Sequence, residues 1–152
     1  MSKVTIRILV NEVNKTFATT SKYQDIHQSL FAESIFEWIF GARREPSLAQ
    51  YAALEKQKEV VREQYEYLKT LELRKSDVAV YQSWYDATKS YFDALIELTV
   101  INEDMKKLFE YTHFEAIENI NAFKEFDIQM REKLTEMNEK LRIYNQLSNE
   151  VF

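Results

Sequence analysis

No cysteine occurs in this chain, so it holds no disulfide framework and no thiolate zinc site. Glycine and proline occur once each in 152 residues. That leaves little room for the turns of a sandwich or barrel, and none for a glycine-rich phosphate loop. Histidine occurs twice, at His27 and His113. There is no Gly-x-Ser-x-Gly elbow and no cysteine nucleophile, so the usual materials of nucleophilic catalysis are missing. The Arg-x4–6-His signature of small helical ribonucleases is absent as well. No apolar run approaches membrane-spanning length, and the opening MSKVTIRILVNEVNK lacks a signal peptide's apolar core. The expectation is a cytoplasmic location. The net charge of −5 has the wrong sign for non-specific nucleic-acid binding.

What is present is charge and aromatic bulk. Charged residues make up 30% and aromatics 14%, a pattern of solvated faces over a substantial core rather than of disorder. The length suits one domain, residues 1–152. The expected class is all-α: an elongated three- or four-helix bundle with a long, coiled-coil-like C-terminal helix and room for a short N-terminal β element.

Residues 3–19, KVTIRILVNEVNKTFAT, admit two readings. Val4, Ile6, Ile8 and Val10 alternate as in a strand, and a second strand would return through Thr16 to Thr19. Ile6, Leu9, Val10, Val13 and Phe17 also fit one helical face. Dense β-branching favours the strand slightly.

Helices are expected at 22–40, 47–75, 77–111 and 113–150. Ser21 and Gln24 have capping-box spacing ahead of the first. Gly41 follows Phe40, where a left-handed helix-ending residue is favoured, and Pro46 sets the next start. In the second helix Tyr51, Leu54, Val61, Tyr65 and Leu68 keep three- and four-residue steps, with Lys58 in one core-type slot. The basic pair Arg74–Lys75 suits its end, and Ser76 or Asp77 the next cap.

The third helix contains YQSWYDATKSYFDALIEL. At 100° per residue, its aromatic and aliphatic residues from Tyr81 to Leu98 fall in one arc of roughly 160°. Lys89, Gln82, Asp93, Asp86 and Glu97 lie opposite. So wide an arc fits a helix touching two or three neighbours, which makes these aromatics core rather than a stacking surface. The remainder keeps a seven-residue repeat through Ile120, Phe123, Met130, Leu134, Met137, Leu141, Tyr144 and Val151, broken at Asp127 and Ser148. Helix breaks are expected near Asn102 or Thr112, where Thr112 and Glu115 form a second capping-box pattern.

Little of this carries chemistry. Glu110 and His113 form Glu-x-x-His, half of a di-metal carboxylate motif, and Gln24 stands where a matching carboxylate before His27 is needed. The plain reading is a surface glutamate beside a partly buried histidine. Acidic pairs such as Glu33 with Glu37 read as a solvated face. Arg43 and Arg44, beside Trp38, offer a basic loop; Arg74, Lys75, Lys106 and Lys107 offer small basic clusters with acidic neighbours. No cofactor or metal is implied. The expected function is non-catalytic protein–protein interaction, as a structural, adaptor or regulatory subunit acting through helical faces, with self-association or a protein partner. The alternatives are a small helical subunit of a nucleic-acid-containing complex and, more remotely, a di-metal helical-bundle enzyme. The candidate partner-binding residues are Trp38, Arg43 and Arg44 near the loop, and Tyr144, Leu147 and Val151 on a C-terminal seam expected to lack neighbours within its own chain.

Overall fold

A computed structural model describes residues 2–30, 44–104, 106 and 113–152. Its elements, in chain order, are β1 (Ser2–Val4), α1 (Ile6–Leu30), α2 (Arg44–Lys69), β2 (Leu71–Leu73), α3 (Lys75–Glu103), α4 (His113–Glu118) and α5 (Ile120–Val151). The protein is an all-α bundle with a long C-terminal helix and one small β element.

The strand reading of the N-terminus is corrected beyond Val4. Thr5 caps a helix instead, its Oγ1 accepting the Ile8 amide at 3.4 Å. The helical alternative holds: Leu9 and Val13 are fully buried, while Ile8 points out. The threonines that suggested a returning strand are accommodated in the helix. Thr16, Thr19 and Thr20 donate their hydroxyls to the carbonyls of Glu12, Thr16 and Phe17, at 2.9, 2.8 and 2.9 Å. Ser21 therefore lies inside α1 rather than at its cap.

Further boundaries move as well. The helix expected at 47–75 starts at Arg44, with Pro46 in its first turn, where a missing amide costs nothing. It ends at Lys69 because Leu71–Leu73 runs beside β1 as a parallel strand, with Ser2 opposite Leu71 and Val4 opposite Leu73. α3 then begins at Lys75. The residue before it is Arg74, extended at φ −63° and ψ 150°, so Ser76 and Asp77 sit within the first turn. Asp104 ends α3, in agreement with a break near Asn102. A second interruption falls at Asn119, between α4 and α5. Gly41 and Thr112 lie outside the described residues.

The long helices run alternately up and down. Gln50 meets Ser29, Gln57 meets the Thr19 carbonyl and Gln64 meets Glu12, so α1 and α2 are antiparallel. Trp84 meets Ser148 and Glu97 meets Lys133, so α3 and α5 are antiparallel too. The bundle is thus two helical hairpins, each headed by a short strand, with the two strands paired to each other. All four long helices meet at its middle. Phe17 lies 5.6 Å from Tyr91, 4.8 Å from Phe92 and 4.8 Å from Tyr144, and Phe92 lies 5.5 Å from Tyr65.

The α3 arc is core, as the periodicity implies. Trp84, Tyr85, Thr88, Tyr91, Phe92, Leu95 and Leu98 are all buried. The C-terminal repeat is core as well. Phe123, Phe126, Met130 and Met137 are buried, and Leu134, Leu141, Tyr144, Leu147 and Val151 pack against them. Its irregularity at Ser148 has a cause: the serine Oγ accepts the Trp84 indole N–H at 3.0 Å. Asp127 is turned toward Arg131, which it holds at 3.0 and 3.1 Å.

Candidate functional site

Among the described residues, two surroundings stand out for gathering polar side chains from three or more elements. The first lies where the middle of α2 meets the C-terminal parts of α1 and α3. Lys58 is only 7% exposed, yet it donates to Glu55 at 2.6 Å and to Glu103 at 3.2 Å. Arg62 reaches the same Glu103 oxygen at 3.0 Å and the Thr99 hydroxyl at 3.4 Å. Burial works against the Lys58 charge, but its two carboxylates outweigh that and hold its pKa above the ordinary lysine value. The hydrogen bond from Lys58 does most to hold Glu103 below the usual carboxylate range. Deeper in, Asn102 donates to the Tyr23 hydroxyl at 2.8 Å, and both residues are almost fully buried. Burial pushes the Tyr23 phenol well above its ordinary pKa. Burial also lowers the pKa of nearby-in-sequence His27 to about 4, so its imidazole is neutral at physiological pH.

This cluster ties three helices together. Its cations are committed to carboxylates, and its phenol is held protonated. It fixes the register of α2 on α3 by charge and that of α3 on α1 by an amide–phenol bond. Among the described residues, no group of three potential metal ligands comes together. Glu110, and the side chain of His113, lie outside the described residues.

The second surrounding is a groove at the opposite, β-strand end of the bundle. It encloses about 510 Å³ and is lined by Lys3 of β1, Lys69 at the end of α2, β2, and the Lys75, Val78, Gln82, Tyr85, Lys89 stripe of α3. Four lysines from three elements thus converge, with Glu72 as the one acidic side chain among the lining residues. The floor is rigid. The Tyr85 hydroxyl donates to the Leu68 and Leu71 carbonyls, each at 2.8 Å, and ties β2 to α3. Burial pushes the Tyr85 phenol to about 12, with Glu72 and Asp86 adding to the effect.

Two of the lysines are steadied from below. Lys89 sits 4.4 Å above the Tyr85 ring and 3.8 Å from Asp86, and Lys69 sits 4.8 Å from the Tyr65 ring and 2.8 Å from Glu66. Lys3 and Lys75 are exposed, and among the described residues neither is in an ion pair.

The sequence-derived candidates fall elsewhere. Trp38 and Arg43 lie outside the described residues. Arg44 opens α2, and its side chain is likewise outside them. Tyr144, Leu147 and Val151 are described, and the premise that they lack neighbours in their own chain is corrected. Tyr144 lies 4.8 Å from Phe17 and 6.3 Å from Trp84, so α1 and α3 supply the cover. The premise failed because α1 begins sixteen residues or so earlier than the capping signals suggest, and so reaches the end of the bundle where α5 finishes. No single stretch shows the groove. Lys69 and Lys75 flank TLELR, but Lys3 and Lys89 join them only through the β1–β2 pairing and the first turns of α3.

Comparison with protein-family models, with curated proteins and with solved structures finds no match to this chain.

Proposed function

We propose that this protein is a non-catalytic binding subunit that docks a protein partner on the lysine groove at the strand end of its bundle. One observation carries the reading. Lys3, Lys69, Lys75 and Lys89 converge on a concave surface with a fixed floor, in a chain whose net charge is negative. Lys69 and Lys89 are already paired with Glu66 and Asp86, but Lys3 and Lys75 are in no ion pair among the described residues, and an acidic partner supplies the carboxylates they lack. The other prominent polar cluster is internally neutralised and serves the fold. The C-terminal seam is half-buried against the core of its own chain, and the groove is the concave face that gathers charge of one sign. No helix among the described residues is long and apolar enough to cross a membrane.

The test is a charge reversal at the two lysines without intramolecular ion pairs. The full chain and its Lys3→Glu/Lys75→Glu variant are purified from the native host, and each co-purifying chain is then titrated as a purified two-component mixture. The expected result is a partner bound by the wild type in a salt-sensitive way and lost in the variant, at unchanged melting temperature. Equal affinity of every such partner for the variant refutes the groove as the docking face.

A further inference from the structure

The groove also constrains what the partner presents. Resting on the reading above, we infer that it takes a short acidic stretch of polypeptide, rich in closely spaced aspartate or glutamate, rather than a nucleic-acid strand.

Three features select the acidic peptide. The first is the reach of the positive field. The four groove lysines and Glu72 sum to +3; Glu66, 2.8 Å from Lys69, and Asp86, 3.8 Å from Lys89, reduce this to +1, so against a total of −5 the rest of the chain carries −6. A long polyanion running out of the groove meets a surface that repels it, within a screening distance of about 8 Å. A segment of a few residues ends before it gets there. The second is the lack of a stacking platform. Single-stranded nucleic acid is held largely by bases laid on exposed aromatic faces. The one aromatic ring lining the groove is Tyr85, which is 2% exposed and has the Lys89 ammonium over its face. The third is the kind of cation. All four are lysines, and no arginine is among the described residues that line the groove. Arginine's planar fork matches phosphate bidentately, whereas lysines act as point charges that accept scattered carboxylates without demanding one geometry.

The arrangement also says how such a segment lies. Lys3 stands on one strand and Lys75 just beyond the other, with Lys69 and Lys89 on the helices to either side. Carboxylates along one extended segment meet these ammonium groups in turn. Glu72, directly opposite Lys3 in the strand register, disfavours an acidic side chain at that one point and so sets where along the groove the segment sits.

The experiment uses the full chain and two labelled probes, an eight-residue aspartate–glutamate peptide and a single-stranded oligonucleotide of equal formal charge. Binding is followed by fluorescence anisotropy between about 50 and about 200 mM salt. Three proteins are compared: the wild type, Lys3→Glu/Lys75→Glu, and a Lys22→Glu/Lys124→Glu control. The control reverses two exposed lysines outside the groove, so both variants have the same net charge. The peptide is expected to bind the wild type more tightly than the oligonucleotide does. Groove reversal should weaken it at least about ten-fold, and the control should change it less than about two-fold. If reversal alters folding, Lys3→Gln/Lys75→Gln replaces it, with a smaller loss expected. The inference is overturned if the oligonucleotide binds more tightly, if the peptide does not bind, or if groove and control variants lose affinity equally. Failure of the peptide alongside a native partner that still depends on Lys3 and Lys75 removes this inference and leaves the docking face standing.

Discussion

Trp84→Ala tests whether the aromatic arc of α3 is the keystone of the bundle. Trp84 is 2% exposed and has rings of three other residues around it: Phe152 at 5.1 Å, Tyr144 at 6.3 Å and Tyr85 at 6.5 Å. Truncating a large buried aromatic leaves a cavity that rigid neighbours fill poorly, at a cost of about 3–5 kcal/mol. The indole N–H adds a smaller component through its bond to Ser148. Ser148→Ala leaves that donor without its acceptor and should cost about 1 kcal/mol. In the double variant the Ser148 change should cost almost nothing, because its partner is already gone. Urea unfolding followed by circular dichroism gives the numbers. With a slope of about 2 kcal/mol per molar urea, Trp84→Ala should lower the midpoint by about 1.5–2.5 M. A Trp38→Phe background makes indole fluorescence report on Trp84 alone, since these are the chain's two tryptophans. A Trp84→Ala protein within about 1 kcal/mol of the parent would refute the assignment of this face to the core.

Two other outcomes follow from the same structure. His27 has a folded-state pKa of about 4 against an ordinary 6.5, so the unfolded chain takes up its proton first; stability is complete above pH 6.5 and should fall by about 3 kcal/mol as pH drops to 4. The depressed pKa of Glu103 adds its loss only below its ordinary 4.5, so His27→Gln should flatten the denaturation profile between pH 6.5 and 4.5 and leave the steeper acid limb. Truncation after Lys140 removes Leu141, Tyr144, Leu147 and Val151 from the core and Phe152 from its contacts with Trp84 and Tyr81. It should cost at least about 4 kcal/mol by thermal or urea unfolding, and an unchanged melting temperature would contradict the packing of α5.

The helical periods were legible because each long helix has one wet and one dry side. Tyr51, Leu54, Lys58, Val61, Tyr65 and Leu68 mark the buried stripe of α2, including its one cation. What misled was local chemistry overruled by distant contacts. Val4 to Val10 reads as a strand because β-branched residues favour strands, but only three residues find a partner strand, and beyond Val4 burying Leu9 and Val13 decides the matter. β2 was invisible for the complementary reason. Three residues are too few to display a period, and Leu71 and Leu73 continue the apolar spacing of the helix before them. The groove was legible only as scattered lysines, since it exists only when residues 69 positions apart are set side by side by the strand register.

That separation has a kinetic consequence. β1 and β2 bond only after the whole α1–α2 hairpin has formed and turned back, so a closure of nearly seventy residues precedes their first ladder contact. The entropy of so long a loop is recovered by three residues of strand, whereas the helical hairpins recover theirs over many turns. The strands are therefore expected to assemble last and open first, which hydrogen exchange of the Ser2–Val4 amides would check. On that expectation Lys3 reaches its place at the final step, and the lysine groove is completed only in molecules whose helices are already packed.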